Sequence, residues 1–138
     1  MRTLAISNQK GGAGKTTTAV NLSACLAEKG RRVLLVDLDP QACASAWCGV
    51  RDGGRGLLDA LADNGTLADL VVPTAIPKVE LVPSSSWLSN VDKALAGEVG
   101  AELILRDRLA ALTPRWDVVV IDCPPALGLL TVSALAAV

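Results

Sequence analysis

Three stretches of this sequence combine residue types that act on anions, and each stands at the end of an apolar run. The first is Lys10-Gly11-Gly12-Ala13-Gly14-Lys15-Thr16-Thr17. Its glycines let the backbone turn tightly enough for successive N–H groups to point at one anion, and the start of a following helix would add partial positive charge. Lys15 would then reach the outer oxygens of a polyphosphate, and the Thr16 hydroxyl suits Mg²⁺, a cation that prefers a few protein oxygens plus phosphate and water. The second stretch, residues 34–41, reads Leu-Leu-Val-Asp-Leu-Asp-Pro-Gln. Asp37 and Asp39 are two apart, so in extended geometry they face the same way, and both can address a metal-bound phosphate or an attacking water. Either can instead cap the helix that follows. The third stretch, Trp116-Asp117-Val118-Val119-Val120-Ile121-Asp122-Cys123-Pro124-Pro125, sets Asp122 at the tip of an apolar run, with two prolines forcing a turn beside it. A carboxylate there can hold Mg²⁺ through water. Asp117, at the other end of the run, reads as a solvated loop residue, and Cys123 as a small buried filler rather than a redox handle.

Positioning these groups requires strands that end where the polar residues begin. Residues 3–7, 33–37, 79–82 and 118–121 are short runs rich in Val, Leu and Ile, the pattern of strands buried on both faces of a parallel sheet. Between the first two, residues 15–29 carry Ala19, Leu22 and Leu26 at helical spacing, with Gly30 placed for a left-handed C-terminal turn. That is one βαβ unit, and open α/β sheets bind ligands at the C-terminal ends of such strands. A second helix is predicted over residues 101–112, with Leu105, Leu109 and Leu112 on one face and Pro114 just beyond. Residues 49–77 mix Gly-rich turns with a short helix near residues 57–62. Residues 127–138 read as an apolar helix too short to span a bilayer, and the chain stops there without a cap or polar tail, as though cut.

Composition narrows the function classes. The 138 residues suit a single domain, and 51% hydrophobic with 20% charged residues indicate a folded chain with a buried sheet. The formal charge of −1 provides no general attraction for a polyanion. The one dense basic cluster, Lys29, Arg31 and Arg32, is accounted for by the dipole at the end of its helix. No histidine is present, which removes His-based acid/base and Ser-His mechanisms within the chain. The four cysteines, Cys25, Cys43, Cys48 and Cys123, have no zinc-site spacing and read mostly as buried hydrophobes. With no signal-peptide pattern at the N-terminus, a reducing cytoplasm is the expected location.

Taken in order, the three motifs resemble those of the ParA/Soj partition ATPases, P-loop NTPases of the deviant Walker A class. The likeness runs through the whole chain and is strongest at residues 4–17, 33–41 and 117–131. Gln9 stands where an ordinary Walker A loop has glycine, and Lys10 falls on the signature lysine of the deviant class. The resemblance implies a three-layer αβα P-loop fold, here ending after the Walker B strand and its helix, so that the C-terminal half of the family fold is missing. It implies Mg-ATP binding, with Lys10, Gly11, Gly12, Ala13, Gly14, Lys15, Thr16 and Thr17 around the phosphates. Lys10, Lys15 and Asp39 are implied as the catalytic set, and Thr16, Asp122 and Asp37 as the metal set. It further implies an ATP-dependent sandwich dimer in which Lys10 reaches the partner's phosphates, a ParB-like centromere-binding partner, and sequence-independent DNA binding in the full-length protein. The near-neutral charge argues that this chain alone holds DNA poorly.

Three rival readings stay open at this level. One is a membrane-cycling division ATPase like MinD, which anchors through a C-terminal amphipathic helix; Asp39-Pro40-Gln41 favours the partition branch. Another is an iron–sulfur carrier of the same superfamily, which would need cysteines placed to share a cluster. The third is a truncated regulator that binds nucleotide without turning it over.

Overall fold

The structure, a computed structural model, describes residues 1–8, 10, 14–50, 54–63 and 65–138. In chain order these form β1 (Arg2–Ile6), α1 (Lys15–Glu28), β2 (Val33–Asp37), α2 (Cys43–Trp47), α3 (Gly56–Ala62), β3 (Val72–Pro73), β4 (Val79–Val82), α4 (Val91–Ala94), α5 (Ile104–Ala110), β5 (Val118–Asp122) and α6 (Leu129–Ala137). Short 3₁₀ turns at Ala68–Leu70, Ser86–Asn90 and Ala101–Leu103 link them. Among the described residues the sheet has the order β1-β5-β2-β4-β3. The strands β1, β5, β2 and β4 are mutually parallel, and only β3 runs antiparallel, on β4. Pro73, which has no N–H for a ladder, is tolerated on that edge strand.

The apolar runs are continuous because both faces of the inner strands are covered. Along β2, Val33 and Leu35 pack with Ala19, Val20 and Ala27 of α1, while Leu34 and Val36 pack with residues of α3, α4, α5 and α6. Successive side chains leave a strand on opposite faces, so this alternation sorts one run into two cores and produces three layers. Every residue of β2 and β5 is buried, and burying each Leu, Val or Ile side chain stabilises the fold by roughly 1.5–3 kcal/mol.

Helix α1 ends as its sequence predicts. Gly30 adopts φ +87°, the Gly30 N–H donates to the Ala27 carbonyl at 2.9 Å and the Arg31 N–H to that of Leu26 at 3.1 Å, a Schellman turn that returns the chain to β2. The helix expected over residues 101–112 divides into a 3₁₀ turn and α5, although Leu105, Leu109 and Leu112 are all buried as their spacing requires. Strand β1 lies one residue earlier than predicted. Among the described residues no helix is long and apolar enough to cross a membrane.

Candidate functional site

The register of the three neighbouring strands brings the polar residues together. Ile6 of β1 pairs with Asp122 of β5, and Asp122 pairs with Asp37 of β2, so the three strands finish level with one another. Helix α1 begins over the tip of β5. There the Thr16 hydroxyl donates to Asp122 Oδ2 at 2.8 Å across 106 residues of sequence. The other oxygen, Asp122 Oδ1, is buried without a hydrogen-bond partner among the described residues. Burial raises the Asp122 carboxyl to about 6, with the charges of Asp37 and Asp39 adding to the rise, while the Thr16 hydrogen bond and the Lys15 charge oppose it. A buried carboxylate oxygen left without a donor is a position that a cation would satisfy.

Lys15 is almost fully buried, and its Nζ donates to the Lys10 carbonyl at 3.4 Å, so the ammonium lies against the loop instead of extending into solvent. The Lys10 N–H donates to Asn8 Oδ1 at 2.9 Å, an Asx turn that shapes the entry to the loop, while the Lys10 residue is exposed. Gly14, at φ +80°, supplies the left-handed turn into α1. Gly11, Gly12 and Ala13 lie outside the described residues. Gly14, Lys15, Thr16, Thr17, Asp39, Cys43, Trp47 and Pro125 line one open cleft of about 380 Å³.

The two carboxylates of the second motif do different work. Asp39 lies at the cleft, with Oδ1 accepting the Gln41 N–H at 3.0 Å. Asp37, expected among the metal-binding residues, is fully buried and bonded on both oxygens: Oδ1 accepts the Asp39 N–H at 3.1 Å, and Oδ2 accepts the Ser45 N–H at 2.9 Å and the Ser45 hydroxyl at 2.7 Å. Asp37 thus caps α2, the alternative that the sequence left open. Its pKa is raised by burial despite those donors.

Other expectations need correction. Cys25 and Cys43 are exposed, and only Cys48 and Cys123 are buried. The Cys123 thiol is pushed up to about 12, chiefly by burial, as befits an inert filler. Among the described residues no cluster of three or more His, Cys, Asp or Glu side chains is placed to hold a metal ion. Asp117 is more than a loop residue, since its Oδ2 accepts the Arg32 N–H at 2.8 Å. Sequence patterns gave no warning of Trp47 or Cys43 at the cleft, nor of Ser45 and Ser84 behind it: a lone serine or tryptophan has no spacing signal.

A family model described as an AAA domain matches residues 1–138, the whole chain. The chain belongs to the ParA/Soj/MinD superfamily of P-loop ATPases. Within that superfamily it is 43% identical over 136 residues to the sporulation initiation inhibitor protein Soj of Bacillus subtilis, covering 97% of this chain and 54% of Soj. To the chromosome partitioning protein ParA of Myxococcus xanthus it is 45% identical over 138 residues, covering 99% of this chain and 49% of that ParA. The chain therefore spans about half the length of these curated relatives. The superfamily fold also appears in a solved Mycobacterium smegmatis protein named cobyrinic acid a,c-diamide synthase, with bound ATP analogue and magnesium. It superposes with a TM-score of 0.94 at 40% identity, covering 99% of this chain and 57% of that one. The α/β fold with a mostly parallel sheet, expected from the P-loop resemblance, is the fold found.

Proposed function

We propose that this chain is the nucleotide-binding portion of a Mg-ATP-dependent partition ATPase. The observation that supports this most is the convergence of Lys15, Thr16 and Asp122 at the tip of β5, with one Asp122 oxygen buried and unpartnered. Residues 11–17 would cradle the phosphates, and Lys15 would turn its ammonium from the Lys10 carbonyl to the outer phosphate oxygens. Thr16 and Asp122 fit Mg²⁺, since both offer hard oxygens and Asp122 Oδ1 awaits a partner. When bound, Mg²⁺ would neutralise developing charge on the phosphates. Asp37, committed to α2, would stay outside the metal shell.

Phosphoryl transfer to water asks mainly for positioning and charge neutralisation. Asp39, at the cleft and with Oδ1 already accepting the Gln41 N–H, would orient the attacking water with its other oxygen. Lys10, exposed at the rim, would reach the phosphates of a second copy in an ATP-dependent sandwich dimer. In the whole protein we propose a ParB-like stimulating partner, sequence-independent DNA binding, and action in the cytoplasm during plasmid or chromosome segregation.

The test is a titration of the chain with a fluorescent ATP analogue and Mg²⁺, run beside Lys15→Ala. The substitution removes a charge-assisted contact and is expected to weaken binding by about 2 kcal/mol, roughly thirtyfold. Unchanged affinity would remove the phosphate loop from the reading. Asp39→Ala is expected to spare nucleotide affinity and abolish hydrolysis in the full chain.

A further inference from the structure

Behind Asp39 lies a closed circuit of hydrogen bonds made by Ser84, Ser45 and Asp37, all three fully buried. The Ser84 hydroxyl donates to the Asp39 carbonyl at 2.7 Å, and the Ser84 N–H donates to Ser45 Oγ at 3.0 Å. Ser45 in turn donates its hydroxyl hydrogen to Asp37 Oδ2 at 2.7 Å, and Asp37 Oδ1 accepts the N–H of Asp39 at 3.1 Å. The circuit begins on the carbonyl of Asp39 and ends on its amide. A serine hydroxyl has one hydrogen to give, and each is used once, so the direction of donation is fixed throughout.

The turn at Asp39 does not need Ser84. The Asp39 carbonyl already accepts the Ala42 N–H at 2.8 Å, which closes the turn leading to α2. The Ser84 bond is an additional restraint, delivered from the neighbouring strand: Val36 of β2 pairs with Val82 of β4, and Ser84 follows two residues later. With both peptide groups of Asp39 clamped from behind, the freedom left to its carboxylate is rotation about its own side-chain bonds. We infer that Ser84, acting with Ser45 and Asp37, is a positioning residue that aims the Asp39 carboxylate into the phosphate cleft. This rests on the role proposed above for Asp39. Ser84 touches no substrate; it acts through Asp39 alone.

The experiment compares the full chain with its Ser84→Ala, Ser84→Cys and Asp39→Ala variants, measuring single-turnover ATP hydrolysis and Mg-ATP affinity separately. A misaimed group slows chemistry without loosening the nucleotide, so Ser84→Ala is expected to slow hydrolysis by roughly tenfold while affinity stays within about twofold. Ser84→Cys, close in volume and a weak donor, is expected to fall between Ser84→Ala and wild type. It also stands in for Ser84→Ala if that variant does not fold. Hydrolysis at the wild-type rate in both Ser84 variants, beside an inactive Asp39→Ala, would overturn the inference and leave Ser84 as a satisfied buried hydroxyl. Full activity in Asp39→Ala would overturn the role of Asp39 and the inference with it.

Discussion

Strand β5 carries an aspartate at its C-terminal tip and another just before its first residue, and the two are opposites. Asp117, with its side chain 37% exposed, accepts the Arg32 backbone N–H and has the Arg32 guanidinium 3.9 Å away. That N–H hydrogen bond, foremost, holds its pKa below the ordinary aspartate value. Asp122 is fully buried, has one donor in Thr16 and, among the described residues, one oxygen with none, and is raised to about 6. The protein completes the coordination of one carboxylate and withholds it from the other. At the base of the sheet an aspartate fastens β5 to the end of the α1–β2 loop. At the top, a buried carboxylate is left short of positive charge at a cost in stability.

Replacing each aspartate tests this contrast, and Asp122→Asn should give the larger response. It is expected to reduce the gain in ATP affinity provided by Mg²⁺ by about tenfold or more, because the cation loses an anionic partner. The same change should raise the Tm of the ligand-free chain by several degrees, since a buried charge is removed. An unaltered Mg²⁺ dependence would show that Asp122 is a structural carboxylate like Asp117.

Acidity supplies the next largest effect. Because the folded pKa of Asp122 lies above its unfolded value of 3.8, its contribution to stability is fully present below pH 3.8 and is lost as pH rises through about 6. The difference in Tm between Asp122→Asn and wild type should therefore widen from pH 4.5 to pH 7 and then level off. A difference that narrows over that interval would reverse the assigned direction. Asp117 works in the opposite sense, its contribution being present above 3.8 and lost as pH falls through its lowered value. The smallest effect is that of Asp117→Asn, an exposed pair expected to shift Tm by less than about 2 °C and to leave nucleotide affinity unchanged. A loss of affinity there would mean that the two ends of β5 are coupled.

Much of this fold is legible in the sequence. The inner strands announced themselves because a chain segment covered on both sides must be apolar at every position, as residues 33–36 and 118–121 are. As candidates, Lys15 and Thr16 stood out through the glycine-rich loop that precedes a helix, and Asp39 and Asp122 through their places at or just past the ends of apolar runs. Helix α2 was not legible, since five residues are too few for a helical period to register. Strand β3 is two residues held by pairing with β4, a contact made across the fold and not along the sequence. The capping of α2 by Asp37 depends on Ser45, eight residues away, and on Ser84, 39 residues beyond that. Hydrogen bonds of this range leave no local trace.

The chain contains three tryptophans and neither tyrosine nor phenylalanine. Trp116 is buried, its indole N–H bonded to Glu80 Oε1 and its ring lying under the Arg115 guanidinium, whereas Trp47 is 57% exposed on the wall of the cleft. Near-ultraviolet emission from this molecule therefore comes from indole alone, and one of its three sources, Trp47, lines the same cleft as Lys15 and Asp39. The cleft carries its own optical reporter, and events there can be followed in unlabelled protein as the change they impose on Trp47 above the steady emission of Trp87 and Trp116.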